Sequence, residues 1–110
     1  MDEEKLEQAP PPPPPPNAWP YPIMVAGITF RVKDMAEITT DDVVAEREPD
    51  NQFDKYAVRI SLLTAEGKLH HIGYVPKDIA CRIYDKELPV KGKIVWRCVE
   101  PGQVGLRIQI

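Results

Sequence analysis

Apolar and polar residues alternate in several segments from Ile23 onward, and this two-residue period constrains the fold more than any other feature. Such alternation is typical of strands with one buried and one solvated face. It predicts strands in segments 23–32, 56–63, 93–99 and 104–110, and a less regular pattern adds one at Asp42–Arg47. The predicted buried faces include Met24, Ala26, Ile28, Phe30 and Val32 in the first segment, and Ile94, Trp96 and Cys98 in the third.

The remaining folded part supplies a hairpin and a helix. A turn at 64–67 joins the strand at 56–63 to a further strand at 68–75, so these two are expected to pair. A helix is expected near 77–86, because Pro76 and Asp78 suit its first turn and Pro89 follows its end. About six strands with one or two short helices predict a mainly β fold, and a small barrel leaves the fewest exposed strand edges.

Residues 1–22 are predicted to be a disordered, acidic and proline-rich tail that precedes a single domain at 23–110. The tail starts with Asp2, Glu3 and Glu4 and contains seven consecutive prolines, Pro10–Pro16. Proline fixes φ and lacks an amide hydrogen, so an extended polyproline II rod is expected. Such a rod is either a stiff spacer or a ligand for a proline-recognition domain of a partner.

Charge argues against strong nonspecific binding of nucleic acid. Residues 23–54 carry three basic and eight acidic side chains, whereas residues 55–110 carry ten basic and five acidic ones, so the domain is neutral as a whole. Strong nonspecific binding needs many phosphate contacts. The sequence therefore leaves two alternatives, a local basic groove or charges scattered over a solvated surface.

No residue pattern indicates catalysis, a metal or a cofactor. His70 and His71 are adjacent on a predicted strand, so they point to opposite faces and cannot hold one metal ion together. Cys81 and Cys98 lack metal-ligand spacing and are expected to be buried thiols in a reducing compartment. Phosphate-loop and nucleophile motifs are absent from the sequence. The chain is therefore not expected to be an enzyme.

The sequence also bears on localisation. Its longest apolar stretch is far shorter than the roughly 20 residues of a membrane-spanning helix. Met1 is followed by three acidic residues, which does not resemble a signal peptide. An intracellular protein without membrane contact is expected, cytoplasmic in a prokaryote or nuclear in a eukaryote.

The densest motif lies between two predicted strands, at 47–57, where Asn51 and Asp54 can accept hydrogen bonds from nearby backbone amides. A second run, Ile72-Gly73-Tyr74-Val75-Pro76, leads from a strand into the helix. With Val25-Ala26-Gly27-Ile28 ahead of them, these segments resemble the HIRAN domain over about residues 23–99. The resemblance implies a β-barrel related to OB and SH3-like folds, which in Swi/Snf-type helicases captures the 3′ end of single-stranded DNA.

The resemblance also implies a set of site residues. An Arg-Tyr pair of the DNA-binding members of the family corresponds to Thr29 and Phe30 here. The aromatic ring is therefore kept at Phe30, and the cation is lost at Thr29. Arg31 follows, on the opposite face of the predicted strand. A Tyr-Asp pair matches Phe53 and Asp54, while a histidine falls on Tyr74 and a lysine falls on Lys77. The predicted nucleic-acid-binding residues are Phe30, Arg31, Phe53, Asp54, Tyr74 and Lys77.

Each of these side chains suits a contact with a single strand. Unstacked bases lie on aromatic faces, and Lys77 at the helix start suits a phosphate. The Asp54 carboxylate would accept a hydrogen bond from a terminal 3′-hydroxyl and repel a 3′-phosphate. Structural alternatives are that Phe30 belongs to the core and that Asp54 only holds its loop.

Two functions follow from the sequence. The first is a non-enzymatic module that binds single-stranded DNA, at an end, in DNA repair or replication, alongside a helicase or repair protein. The alternative is a protein–protein interaction module that kept the HIRAN fold without the DNA site. The missing arginine and the neutral charge favour the alternative, whereas the aromatic positions, Asp54 and Lys77 favour DNA.

Overall fold

The structure is a computed structural model that describes residues 21–83 and 87–110. Within these residues, a single α-helix, α1 (Lys77–Arg82), accompanies 3₁₀ turns at Ile28–Phe30 and Met35–Glu37. The predicted tail lies outside the described residues, except for Tyr21 and Pro22. The strands are β1 (Ile23–Met24), β2 (Asp42–Arg47), β3 (Val58–Leu63), β4 (Leu69–Tyr74), β5 (Val90–Arg97) and β6 (Leu106–Gln109).

The strands form one antiparallel sheet in the order β1-β6-β5-β2-β3-β4, which curls into a half-barrel. Its two edges meet at one bridge between Ala26, just after β1, and Tyr74 at the end of β4. The Ala26 amide donates to the Tyr74 carbonyl at 2.7 Å, and the Tyr74 amide donates back at 2.9 Å. This contact, called the seam below, joins the edges that would otherwise be exposed. The predicted mainly β fold with a short helix is confirmed.

A glycine makes the seam sterically allowed. A Cβ atom on Gly73 would lie 2.5 Å from Val25 Cγ1 and 2.6 Å from the Ala26 carbonyl oxygen. Both distances are well below van der Waals contact, so only glycine lets the chain after β1 approach β4 this closely. The close approach at the seam thus explains why a glycine occupies position 73 in the Ile72–Pro76 run.

The core fills the concave side of the half-barrel. Val58, Ile60 and Leu62 alternate inward along β3, and Leu106 and Ile108 do so along β6, so each strand contributes one apolar face. Each fully buried side chain of this kind stabilises the fold by roughly 1.5–3 kcal/mol relative to exposure. Ala80 in α1 and Ile83 just after it also lie in the core.

The predicted strand at 23–32 is wrong over most of its length. After β1 and the seam, Gly27 takes a left-handed conformation at φ 73° and begins the 3₁₀ turn. The predicted buried face is also wrong in part, because Ile23 and Val25 are buried while Met24 is exposed. Phe30 is 84% exposed and does not belong to the core.

A bulge overturns the predicted burial of Trp96. Ile94 pairs with Ile108 and Trp96 pairs with Arg107, so Val95 is an extra residue on β5. An extra residue reverses the side to which the following side chains point. Trp96 is therefore 45% exposed instead of buried with Ile94.

Two further expectations need correction. Cys81 is exposed and Cys98 is partly exposed, because Cys81 lies on the outer side of α1 and Cys98 follows the bulge. The helix is shorter than expected, since its regular part ends at Arg82, and residues 84–86 of the expected range lie outside the described residues.

Candidate nucleic-acid interface

A groove of about 640 Å³ lies beside the seam, between the 48–57 loop, the end of β4 and the start of α1. Its walls combine aromatic rings, two carboxylates and two cations. The residues that line it are Ala26, Arg31, Glu48, Asn51, Gln52, Phe53, Asp54, Ala57, Tyr74, Val75 and Lys77.

The 48–57 loop is held by side-chain oxygens that accept backbone amides. Asn51 Oδ1 accepts from the amides of Phe53 at 2.8 Å and Asp54 at 3.0 Å. Asp54 Oδ1 accepts from the amide of Tyr56 at 2.9 Å. These turns confirm the expected role of Asn51 and Asp54 and leave the ring of Phe53 89% exposed.

Glu48 connects this loop to β4. Its Oε1 accepts from Asn51 Nδ2 at 2.9 Å and from the Tyr74 hydroxyl at 3.0 Å, and Arg59 Nη1 lies 3.8 Å from Oε2. Burial raises the pKa of Glu48, but the two hydrogen bonds and the charge of Arg59 together lower it below its ordinary value. Glu48 is therefore ionised at neutral pH. Glu48 was not among the predicted site residues, although it lies in the motif at 47–57.

Tyr74 presents its ring to the groove while its neighbour Val75 is buried in the core. Its ring packs edge-on against His71, with centroids 4.9 Å apart, and the Arg31 guanidinium lies 5.7 Å from its centroid. Burial, then the hydrogen bond to Glu48, raise the pKa of Tyr74, which keeps the hydroxyl protonated. A base that reaches this ring must stack on the guanidinium or displace it.

His71 lies behind Tyr74 and was not predicted as part of the site. Burial and then the charge of Arg31 lower its pKa, although Nε2 lies 3.0 Å from the Gly73 carbonyl oxygen. The imidazole is therefore neutral at pH 7 and supports the Tyr74 ring without adding charge. His70 is exposed, which confirms that the two histidines face opposite ways.

The groove carries charges of both signs. Arg31 and Lys77 are exposed cations, and within residues 21–83 and 87–110 neither forms a salt bridge. Glu48 and Asp54 supply two carboxylates on the loop side. Lys77 opens a helix of only six residues, so a phosphate contact here depends on its ammonium group.

Five of the six predicted site residues line this groove, namely Arg31, Phe53, Asp54, Tyr74 and Lys77. Phe30 is not among the lining residues, although it immediately precedes Arg31. Arg31 does not face away from the site as a strand would require, because the 3₁₀ turn replaces the strand there. The structure thus brings together residues from three separate parts of the sequence, at 31, 53–54 and 74–77.

One of the comparisons with known proteins identifies the family of this chain. The family model of the HIRAN domain matches residues 23–110. The chain belongs to the HIRAN domain family, whose domain is a non-catalytic module generally associated with DNA binding. No significant match is found among curated proteins or among solved structures.

Residues 21–83 and 87–110 show neither a metal-binding cluster nor a membrane-spanning helix. No cluster of three or more histidine, cysteine or carboxylate side chains could hold a metal ion. Helices there are too short or too polar to cross a membrane.

Proposed function

We propose that this domain binds single-stranded DNA, with a 3′ end of the strand in the groove beside the seam. The observation that carries the proposal is the meeting of an exposed ring, Phe53, with the Tyr74 ring and the cations Arg31 and Lys77 in one groove. Rings accept unstacked bases and cations accept phosphates, and single strands offer both together.

Phe53 is the principal stacking platform in this proposal. Its ring is nearly free of protein contacts, whereas the face of Tyr74 is already near the Arg31 guanidinium. Loss of one base–aromatic stack costs about 1–3 kcal/mol of binding. Duplex DNA should bind more weakly, because its bases are already stacked on one another.

The carboxylates on the loop side favour a strand end with a free hydroxyl. Asp54 uses one oxygen for the Tyr56 amide, which leaves the second available to accept a hydrogen bond. Glu48 adds a second negative charge nearby, so a terminal phosphate is repelled while a terminal hydroxyl is not.

In this proposal the domain serves DNA repair or replication. It holds a strand end while a partner protein, such as a helicase, remodels the DNA, because the HIRAN domain itself is non-catalytic. The protein then acts where DNA is held, in the cytoplasm of a prokaryote or the nucleus of a eukaryote.

Fluorescence anisotropy with labelled oligonucleotides tests the stacking role. Single strands should bind more tightly than duplexes of the same length. Phe53→Leu should weaken single-strand binding by about 1 kcal/mol or more, and Phe53→Tyr should keep most of it. Leu69→Ala, on an exposed side chain at the far end of β4, is the control and should have no effect. Equal loss in the Leu and Tyr variants would contradict stacking.

A comparison of two strand ends tests whether the groove recognises a 3′-hydroxyl. Oligonucleotides with a 3′-hydroxyl should bind more tightly than those with a 3′-phosphate, and Asp54→Asn should reduce this preference. Phe30→Ala should weaken binding less than Phe53→Ala, because Phe30 does not line the groove. If the Asp54→Asn protein keeps both its stability and its preference for a 3′-hydroxyl end, Asp54 does not recognise the strand end.

A protein–protein interaction module is the second candidate. The exposure of both Phe30 and Phe53 and the mixed charge of the groove favour it, because protein interfaces use aromatic anchors without a net charge. In this candidate the proline-rich tail is the segment that a proline-recognition domain of the partner binds. Absence of oligonucleotide binding at low salt would favour this candidate over DNA.

A further inference from the structure

Trp96 is exposed because of a specific distortion of β5. With regular alternation after the buried Ile94, its indole would point into the core. The extra residue Val95 turns it outward instead, and Val95 itself is 52% exposed. Bulges commonly re-aim a side chain near a functional site. A large aromatic ring directed to solvent in this way suggests a ligand.

The outer surface around Trp96 is continuous with the groove. Trp96 on β5 pairs with Arg107 on β6, and Arg107 pairs with Met24 on β1. Met24 and Ala26 both lie on the outer side, because Val25 between them is buried, and Ala26 lines the groove. One surface path, called the outer track below, therefore leads from the groove through Ala26, Met24 and Arg107 to Trp96.

The distances along this path suit a nucleic-acid strand. Neighbouring strands of a sheet lie about 4.8 Å apart and alternate residues along a strand about 6.6 Å apart. From Ala26 to Trp96 the outer track thus runs for roughly 16 Å along the surface. Small barrels that bind single strands cover ~4–16 nucleotides, more than a groove of this size holds.

The composition of the outer track fits a negatively charged strand. The four residues that define it include one cation, Arg107, and no carboxylate. The Arg107 guanidinium lies over the Trp96 ring, 5.4 Å from its centroid, so an arriving base stacks on this pair or displaces the guanidinium, which then lies close enough to contact the strand's phosphate. A Cβ on Gly105 would lie 3.5 Å from Trp96 Cζ3, in ordinary van der Waals contact, so the ring lies beside Gly105 on β6's side of the surface.

We infer that single-stranded DNA leaving the groove continues along the outer track and stacks a base on Trp96, with Arg107 beside its phosphate. This inference rests on the proposed function, since the strand is anchored in the groove. It predicts a second binding segment that short oligonucleotides cannot reach.

Trp96 fluorescence gives a direct test. The chain has two tryptophans, so the full-length Trp19→Phe protein contains Trp96 alone. Ten-nucleotide oligothymidylate should quench Trp96, whereas a three-nucleotide oligothymidylate should bind without quenching it. Trp96→Leu should weaken binding of the ten-nucleotide strand roughly 5- to 100-fold, the loss of one stack, and leave the three-nucleotide strand unchanged. Trp96→Phe should keep most of the affinity, and Val99→Ala is the control at another exposed apolar side chain.

The outcomes separate this inference from the proposed function. Binding of both strands in anisotropy without quenching of Trp96, or equal affinities in the Trp96→Leu protein, would overturn the outer track and leave the groove intact. No binding of either strand would overturn both. Trp96 quenching that appears without DNA and rises with protein concentration would show that the outer track binds a second copy of the chain, and it would also overturn the inference.

Discussion

Glu48 is the residue on which the geometry of the groove depends most. Its carboxylate accepts hydrogen bonds from Asn51 on the loop and from Tyr74 on β4, and Arg59 on β3 balances its charge. Removal of this side chain would release the loop and the Tyr74 hydroxyl together. Glu48 thus positions the aromatic ring and the loop carboxylate of Asp54 without itself being required to contact the ligand.

The lowered pKa of Glu48 gives a pH-dependent prediction. A carboxyl group with a lower pKa in the folded state stabilises the fold fully above its unfolded pKa of about 4.3. That contribution is lost as the pH falls through the lower folded pKa. Glu48→Gln should therefore reduce the free energy of unfolding by about 1 kcal/mol at pH 7, and the difference should shrink below about pH 4.

Denaturant unfolding of both proteins between pH 7 and pH 3 measures this difference. Glu46→Gln is the matched control, since it removes the same charge from an equally exposed glutamate that pairs with the same Arg59 at 3.3 Å but does not accept the hydrogen bonds from the loop and from Tyr74 that Glu48 accepts. A constant difference between wild type and Glu48→Gln across this range would show that the ionised form of Glu48 contributes nothing to stability.

At the scale of elements, the regular strands could be predicted from the sequence and the irregular segments could not. The predicted strand at Asp42–Arg47 has the observed bounds, because β2 lies between two neighbours and keeps its pairing throughout. The prediction for segment 23–32 is wrong because the chain leaves β6 after Val25 and bridges β4 at Ala26. This contact is long-range and has no local signal in the sequence. The predicted burial of Trp96 is wrong for a similar reason, since no residue near Val95 in the sequence marks the bulge.

The site shows the same division. Its loop residues Phe53 and Asp54 and its strand residue Tyr74 could be found from motifs, because the motifs are contiguous. The contacts of His71 and Glu48 with Tyr74 could not be found from motifs. They depend on the pairing of β3 with β4 and on the path of the loop. The outward placement of Arg31 depends in turn on the 3₁₀ turn after Gly27.

The seam yields a prediction about Gly73. Gly73→Ala places a methyl group against Val25 and the Ala26 carbonyl, so the chain after β1 must move away from β4. We expect a loss of about 2–3 kcal/mol in the free energy of unfolding, as overpacking of a tight contact causes. Single-strand binding should fall as well, because Ala26 and Tyr74 both line the groove.

Gly67→Ala serves as the control for this experiment. Gly67 lies in the turn between β3 and β4 at φ 82°, and a Cβ there meets no atom within 4 Å. That variant should lose about 1–2 kcal/mol from backbone strain alone and keep its binding affinity. If Gly73→Ala retained wild-type stability and affinity, the close approach at the seam would not matter to the fold or the groove.

At the scale of the whole molecule, the domain at 23–110 is expected to fold without the preceding tail. The described core draws its buried side chains from Ile23 to Ile110. Deletion of residues 1–20 should therefore change the melting temperature by no more than about 4 °C, since a tail without core contacts adds little. Thermal unfolding followed by circular dichroism tests this, and a protein that no longer folds would contradict the domain boundary.

The salt dependence of binding is set by the balance of charges over the whole surface. The groove offers two cations, Arg31 and Lys77, against two carboxylates, and the outer track adds Arg107. Each phosphate neutralised in a single strand contributes about −0.7 to the slope of log K against log salt. One to three phosphates therefore predict a slope between roughly −0.7 and −2, with affinity in the micromolar range.

Variants assign this slope to particular cations. Arg31→Gln and Lys77→Gln should each flatten the slope by about 0.7 for three-nucleotide and ten-nucleotide strands alike. Arg107→Gln should flatten it only for the ten-nucleotide strand, because the shorter one ends within the groove. The slopes come from anisotropy titrations at four salt concentrations between about 20 and 200 mM, roughly evenly spaced on a logarithmic scale. A slope steeper than about −4, or tighter binding of duplex than of single strand, would indicate nonspecific contacts with the phosphate backbone instead of a strand held in the groove.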